Sequence, residues 1–146
     1  MKYLSAYEAL QNLLQDNPEL LDQQVQVNAR GLKTEEAIGK PERQDFPLLT
    51  GREVLLQAEI GSYKGQAFTA DPISFEGSLK QVLSLSQDRP GHLAITIAVL
   101  NALAVSLGIA DRTIHCHNNE PEECAREISH SLLDKHGHRN IGIIGY

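Results

Sequence analysis

Residues 93–107 form the longest apolar-rich stretch of this chain, and they limit what it can fold into more than any other feature. Thr96, Asn101 and Ser106 interrupt the stretch, so it falls short of the ~18 consecutive apolar residues of a membrane span. It predicts a buried helix, led in by Arg89-Pro90-Gly91 and closed by Gly108 just past the helix end. The core around it must come mainly from Leu, Ile, Val and Ala, because the 146 residues include no Trp, three Phe and four Tyr. That length fits one domain, and a chain of this size buries enough surface to fold without metal or disulfide staples.

The remaining elements follow from periodicity and punctuation. Ser5-Ala6-Tyr7-Glu8 fits a capping box, Leu10, Leu13 and Leu14 follow at helical spacing, and Asn17-Pro18 stops the run. Val25, Val27 and Ala29 alternate with polar residues, as in a strand with one buried face. Residues 30–50 are predicted as a loop with a helical turn at 35–37, and Phe46, Leu48 and Leu49 in it need packing partners. Residues 53–60 form a second predicted strand, 61–65 a turn, and 66–69 the opening of a third, together an antiparallel hairpin. Asp71-Pro72 and Glu76-Gly77 are expected to break the chain before a short helix carrying Leu79, Val82, Leu83 and Leu85. Residues 112–117 look extended. Asn119-Glu120-Pro121-Glu122 resembles a capped start for a helix running to Lys135, with Ala125, Ile128 and Leu132 on its inner face. The sum is an α+β fold, a three-stranded antiparallel sheet with helices packed on one face.

Thirteen Lys and Arg against nineteen Asp and Glu give a formal charge of −6, spread along the chain with no basic stripe. That excludes non-specific binding to nucleic acid or to an anionic membrane surface. The first residues lack the apolar run of a signal peptide, and two cysteines make a disulfide framework unexpected, so a cytoplasmic setting is predicted.

Residues 113–124 carry the densest chemistry. His115, Cys116, His117 and Cys124 are all metal-ligand types, and imidazole with thiolate suits zinc, nickel or copper. The spacing matches no recognised zinc signature. In an extended 113–117 segment His115 and His117 would share one face, with Cys116 on the other. The economical options are a His115/His117 site, with a cysteine as third ligand, or a Cys116/Cys124 pair. Core packing is the competing account of both thiols, since free Cys is among the most buried residue types. Asn101 in an apolar helix must be hydrogen-bonded, either to neighbouring backbone or to a ligand. With Glu120, Phe68 and Thr69 it completes the expected ligand contacts. His130, His136 and His138 fall on or after the last helix, where they complement its dipole.

Five segments together resemble a bacterial and archaeal family. They are Gly65-Gln66-Ala67-Phe68-Thr69, Leu100-Asn101-Ala102, Thr113-Ile114-His115-Cys116, Glu120-Pro121-Glu122-Glu123-Cys124-Ala125, and Ile141-Gly142-Ile143-Ile144-Gly145-Tyr146. The family is labelled for heavy-metal chelation, a domain of unknown function, and the resemblance covers about residues 53–146. It implies a first domain like the enolase N-terminal fold, over residues 1–139. Residues 140–146 would then open a Rossmann-like second domain, their Gly-x-x-Gly falling short of the three-glycine dinucleotide fingerprint. The competing account makes 140–144 an edge strand of the first domain's own sheet. The resemblance further implies a metal ion or small molecule bound between the two domains. An enzyme acting on a small metabolite and a homodimerising interaction module are the rival readings.

Overall fold

A computed structural model describes residues 4–28, 31–45, 49, 51–111, 113–137, 139–140 and 142. Among these, helix α1 spans Ala6–Asp16 and starts on the expected capping box: Ser5 Oγ accepts from Glu8 N at 3.2 Å, and Glu8 Oε2 accepts from Ser5 N at 2.9 Å. Leu10 and Leu14 are its buried residues. Asn17 caps the end, and Pro18 begins a single 3₁₀ turn.

Among the described residues four strands follow, not three: β1 (Gln24–Val27), β2 (Val54–Ile60), β3 (Tyr63–Thr69) and β4 (Phe75–Ser78). They lie in the order β3-β2-β1-β4, every pair antiparallel. Glu76-Gly77, expected as a chain break, sits inside β4, where Glu76 is opposite Gln26 and Gly77 opposite Val25. Phe-Glu-Gly-Ser has no apolar alternation to announce it; pairing with β1 holds it in the sheet. The hairpin turn is also shorter than expected. Ile60 pairs with Tyr63, so only Gly61 and Ser62 turn the chain, and Gly61 takes φ +59°. Gly65 belongs to β3 for a different reason. A Cβ there would lie 2.2 Å from both Ala98 O and Ala102 N, so the missing side chain lets a helix backbone rest directly on the strand.

That helix is α4 (Pro90–Ser106), the apolar stretch of the sequence, begun by Pro90 and followed by Leu107 and Gly108 at φ +68°. Ile95, Ala98, Val99, Ala102 and Leu103 are completely buried against β2, β3 and α1. With Val25, Val27, Leu56, Ala58, Ile60 and Ala67 from the sheet, and Leu79 and Val82 from the one-turn helix α3 (Leu79–Val82), they make the main core. Thr96, fully buried, donates its hydroxyl to His92 O at 3.1 Å, which settles its polar group within the helix.

The helices do not all pack on one face. Helix α2 (Thr34–Ile38) lies on the opposite side of the sheet, where Ala37 and Ile38 bury Leu55 with Leu32 and Leu49 packed around them. Strand alternation explains the split: Leu56 and Ala58 face α4, so Leu55 faces away and needs its own cover. Helix α5 (Glu120–His136) corrects a second expectation. None of its described residues is buried, and Ile128 is 55 % exposed. The i, i+3, i+7 pattern of Ala125, Ile128 and Leu132 identifies a shared face, but none of these residues is buried.

Phe46, Leu48, Ala29 and the strand expected at 140–144, except for Asn140 and Gly142, lie outside the described residues. Among the described residues, no helix is long and apolar enough to cross a membrane.

Candidate functional site

Strand β3 is the sheet edge beside residues 113–117, and its polar groups are taken up there. Gln66 N donates to Thr113 O at 3.2 Å, and Thr113 Oγ1 donates to Lys64 O at 2.8 Å. Asn101 Nδ2, reaching from α4, donates to Gln66 O at 2.9 Å. This is the partner the half-buried Asn101 amide required, and it is backbone. Residues 113–117 nevertheless form no strand; the chain bends at Ile114. The alternation that would set His115 and His117 on one face therefore does not apply.

The Gln66 side chain, only 8 % exposed, turns to the sheet's second face and organises it. Its Oε1 accepts from His115 N at 2.7 Å, and its Nε2 donates to Gln57 Oε1 at 2.9 Å. Gln57 Nε2 in turn donates to Glu59 Oε1 at 2.8 Å, with Lys64 Nζ 3.9 Å from the same oxygen. A continuous row of hydrogen bonds thus runs from the 113–117 segment across β3 and β2. Each amide is fixed by donating at one end and accepting at the other.

Phe68, 49 % exposed, sits on the same face and meets the His115 ring edge-on, with centroids 5.8 Å apart and planes at 87°. His115 Nδ1 lies 2.8 Å from Cys116 O. A carbonyl can only accept, so Nδ1 carries the proton and Nε2 of the neutral ring keeps its lone pair. Thr69, by contrast, points to the opposite face, is buried, and accepts from Asp71 N through its hydroxyl at 3.0 Å.

Residues 117–122 are tied to α2 and the loop after it. Asn118, at φ +53°, donates its N–H to Ile38 O at 2.7 Å and accepts from Lys40 N at 2.9 Å. Asn119 Oδ1 accepts from Glu42 N at 3.3 Å, and Arg43 pairs with Glu122 at 3.4 Å and with Asp45. The Arg43 contact holds the Asp45 carboxyl below its ordinary range. Glu120 Oε2 accepts from His117 N at 2.8 Å, tying the first residue of α5 back to the turn that precedes it. Cys116 is half-buried and Cys124 exposed, both free thiols, so core packing, the competing account of the two, describes neither. Among the described residues, no three His, Cys, Asp or Glu side chains converge as a metal-binding group.

The concave part of this face lies where α2 does not reach. A cleft of 470 Å³ is floored by Gln26, Gln57 and Glu59, and walled by Gly31 and Leu32 on one side and Ser74, Phe75 and Glu76 on the other. A shallower hollow of 260 Å³ adjoins it, sharing Gln26, Glu59 and Glu76. Glu59 and Glu76 flank Gln26 from its two neighbouring strands, so their Cα atoms stand about 10 Å apart, two strand spacings. The sequence analysis named none of these residues. The available signal was chemical: glutamine at 24, 26, 57 and 66 repeats at strand positions on the sheet's second face, where lysine and glutamate would serve solubility better. Of the expected residues, the structure brings His115 and Phe68 together, and Glu120 to His117. It leaves Thr69 on the other face, and Asn101 reaches the row only through Gln66.

No family model, curated protein or solved structure matches this chain.

Proposed function

We propose that this chain is a binding domain for a small polar molecule, held in the cleft on the uncovered half of the sheet's second face. The observation that carries the proposal is the floor of that cleft: two side-chain amides and a carboxylate, Gln26, Gln57 and Glu59, with Glu76 across from them. Binding clefts are ordinarily lined mostly by apolar groups with a few polar ones. This floor is polar throughout, so its ligand must offer hydrogen-bond donors in return. Two carboxylates on a chain of net charge −6 disfavour anions and favour a neutral or positively charged molecule, such as an amine or a polyol.

The amide row supplies rigidity. Gln57 cannot rotate without releasing Gln66 and Glu59, so its acceptor and donor directions are set before a ligand arrives. Support for ligand or metal binding as a class, though not for this location, also comes from the resemblance to the heavy-metal-chelation family, whose implied site lies between two domains.

Amide-resolved NMR titration with arginine, spermidine, glucose and inorganic phosphate tests the proposal. Arginine, spermidine or glucose should shift resonances at Gln26, Gln57, Glu59 and Glu76, and phosphate should not; Gln57→Leu should abolish the shifts. Absence of localised shifts with all four would overturn the reading. Stoichiometric uptake of zinc, nickel or copper, lost in His115→Ala/His117→Ala, would move the site to residues 113–124 instead.

A further inference from the structure

Taking the cleft proposed above as the ligand site, we infer that Glu76, with Gln26 beside it, selects a ligand carrying a single positive charge. That ligand is a primary ammonium or guanidinium on an otherwise neutral polar body, which sets plain polyols and polyamines aside. Across the uncovered face the register aligns one residue from each strand, in the order Glu76, Gln26, Glu59 and Lys64. Phe75 packs on the main core, so Glu76, next along β4, turns to the second face with the other three.

This row is closed on itself at one end and open at the other. Glu59 Oε1 accepts from Gln57 Nε2 at 2.8 Å and has Lys64 Nζ 3.9 Å away, while Gln57 Oε1 accepts from Gln66. The charge of Glu59 is thus matched before any ligand arrives. Glu76 and Gln26 differ. Among the described residues neither side chain has a hydrogen bond or an ion pair, although both line the cleft and the hollow beside it. Leu79 N donates to Gln23 O, which fixes the phase of the β1–β4 ladder and makes Gln26 and Glu76 a non-hydrogen-bonded pair. Side chains stand closest in such pairs, with Cα atoms about 4.5 Å apart. One group with several N–H donors can therefore reach the carboxylate and the amide oxygen together.

Charge sets the number. Two carboxylates and one lysine leave the row with one unmatched negative charge, and it sits at Glu76. A single cation cancels it. A polyol leaves it unmatched, and a second ammonium laid along the row advances toward Lys64. Glu76 and Gln26 are exposed, so the attraction is screened and worth about fivefold in affinity.

Amide-resolved NMR titrations at low ionic strength with ethanolamine, ethylene glycol of similar size, and putrescine test this. Ethanolamine should bind about fivefold tighter than ethylene glycol, with shifts centred on Gln26 and Glu76, and putrescine should bind no tighter than ethanolamine. Glu76→Gln should erase the advantage of ethanolamine. Lys64→Met frees Glu59 as a second carboxylate, so it should tighten putrescine well beyond ethanolamine. Both substitutions fall at exposed positions outside the core. Ethylene glycol or glucose binding as tightly as ethanolamine, putrescine binding tighter in the unmodified chain, or an ethanolamine affinity indifferent to Glu76→Gln would each overturn the inference and leave the cleft in place. No localised shift with any of the four probes would overturn the inference and the cleft together.

Discussion

Gly65 provides the sharpest test of how the sheet and the long helix are joined. Replacing it with alanine adds one methyl group, which would lie 2.2 Å from Ala98 O and Ala102 N and 2.8 Å from Asn101 C. All three atoms are backbone of α4, and van der Waals contact begins near 3.4 Å, so the helix must lift off β3 by about 1 Å. Overpacking of this kind costs about 1–3 kcal/mol. Lifting α4 also stretches the 2.9 Å bond from Asn101 to Gln66 O, worth about 1 kcal/mol more. The expected destabilisation is therefore about 2–4 kcal/mol, a drop in Tm of about 6–15 °C for a domain of this size. Gly61→Ala is the matched control. Gly61 has nothing within 4 Å of a Cβ but sits at φ +59°, so it should lose about 1 kcal/mol from backbone strain alone. Urea unfolding followed by circular dichroism measures both variants. A Gly65→Ala protein as stable as the Gly61→Ala protein would refute the reasoning, because close approach would then not be what this glycine provides.

Asp71 accepts from Arg89 Nε at 2.9 Å and from Gly91 N at 3.3 Å at the start of α4. The Arg89 contact lowers its carboxyl from an ordinary 3.8. A carboxyl lowered by folding contributes stability that is present above its unfolded value and lost as pH falls through its folded one. Asp71→Asn should accordingly be less stable than the unmodified chain at pH 7, with the gap closing as pH falls below 3.8 in urea melts. Ser5→Ala removes the side-chain acceptor for Glu8 N and should cost about 1 kcal/mol in the same assay, with no effect on ligand-induced shifts in the cleft.

How much was visible beforehand differs from element to element, for physical reasons. The capping box at Ser5, the hairpin and the buried helix are local facts, set by the spacing of apolar residues and by which side chains can reach the backbone nearby. The strand at Phe75–Ser78 was hidden because its stability comes from pairing with Gln24–Val27, about fifty residues earlier. The candidate site was hidden for the same reason. Its residues come from three strands, and Gln26, Gln57, Glu59 and Glu76 become neighbours only once the register is fixed. The His115–Cys124 cluster, so prominent in the linear sequence, is divided by the turn at Asn118 and Asn119 and by the start of a helix.

The sequence by itself determined that α4 is buried, that strands alternate faces, and that the chain carries net negative charge, because each depends on composition and short-range spacing. Only the tertiary structure decided what those faces meet. It set α2 on the far side of the sheet over Leu55, left the neighbouring Gln57 and Glu59 uncovered as the floor of a cleft, and left the apolar stripe of α5 outside the core. Periodicity specifies that a face exists, while the partner for that face is fixed by contacts between residues far apart in the chain.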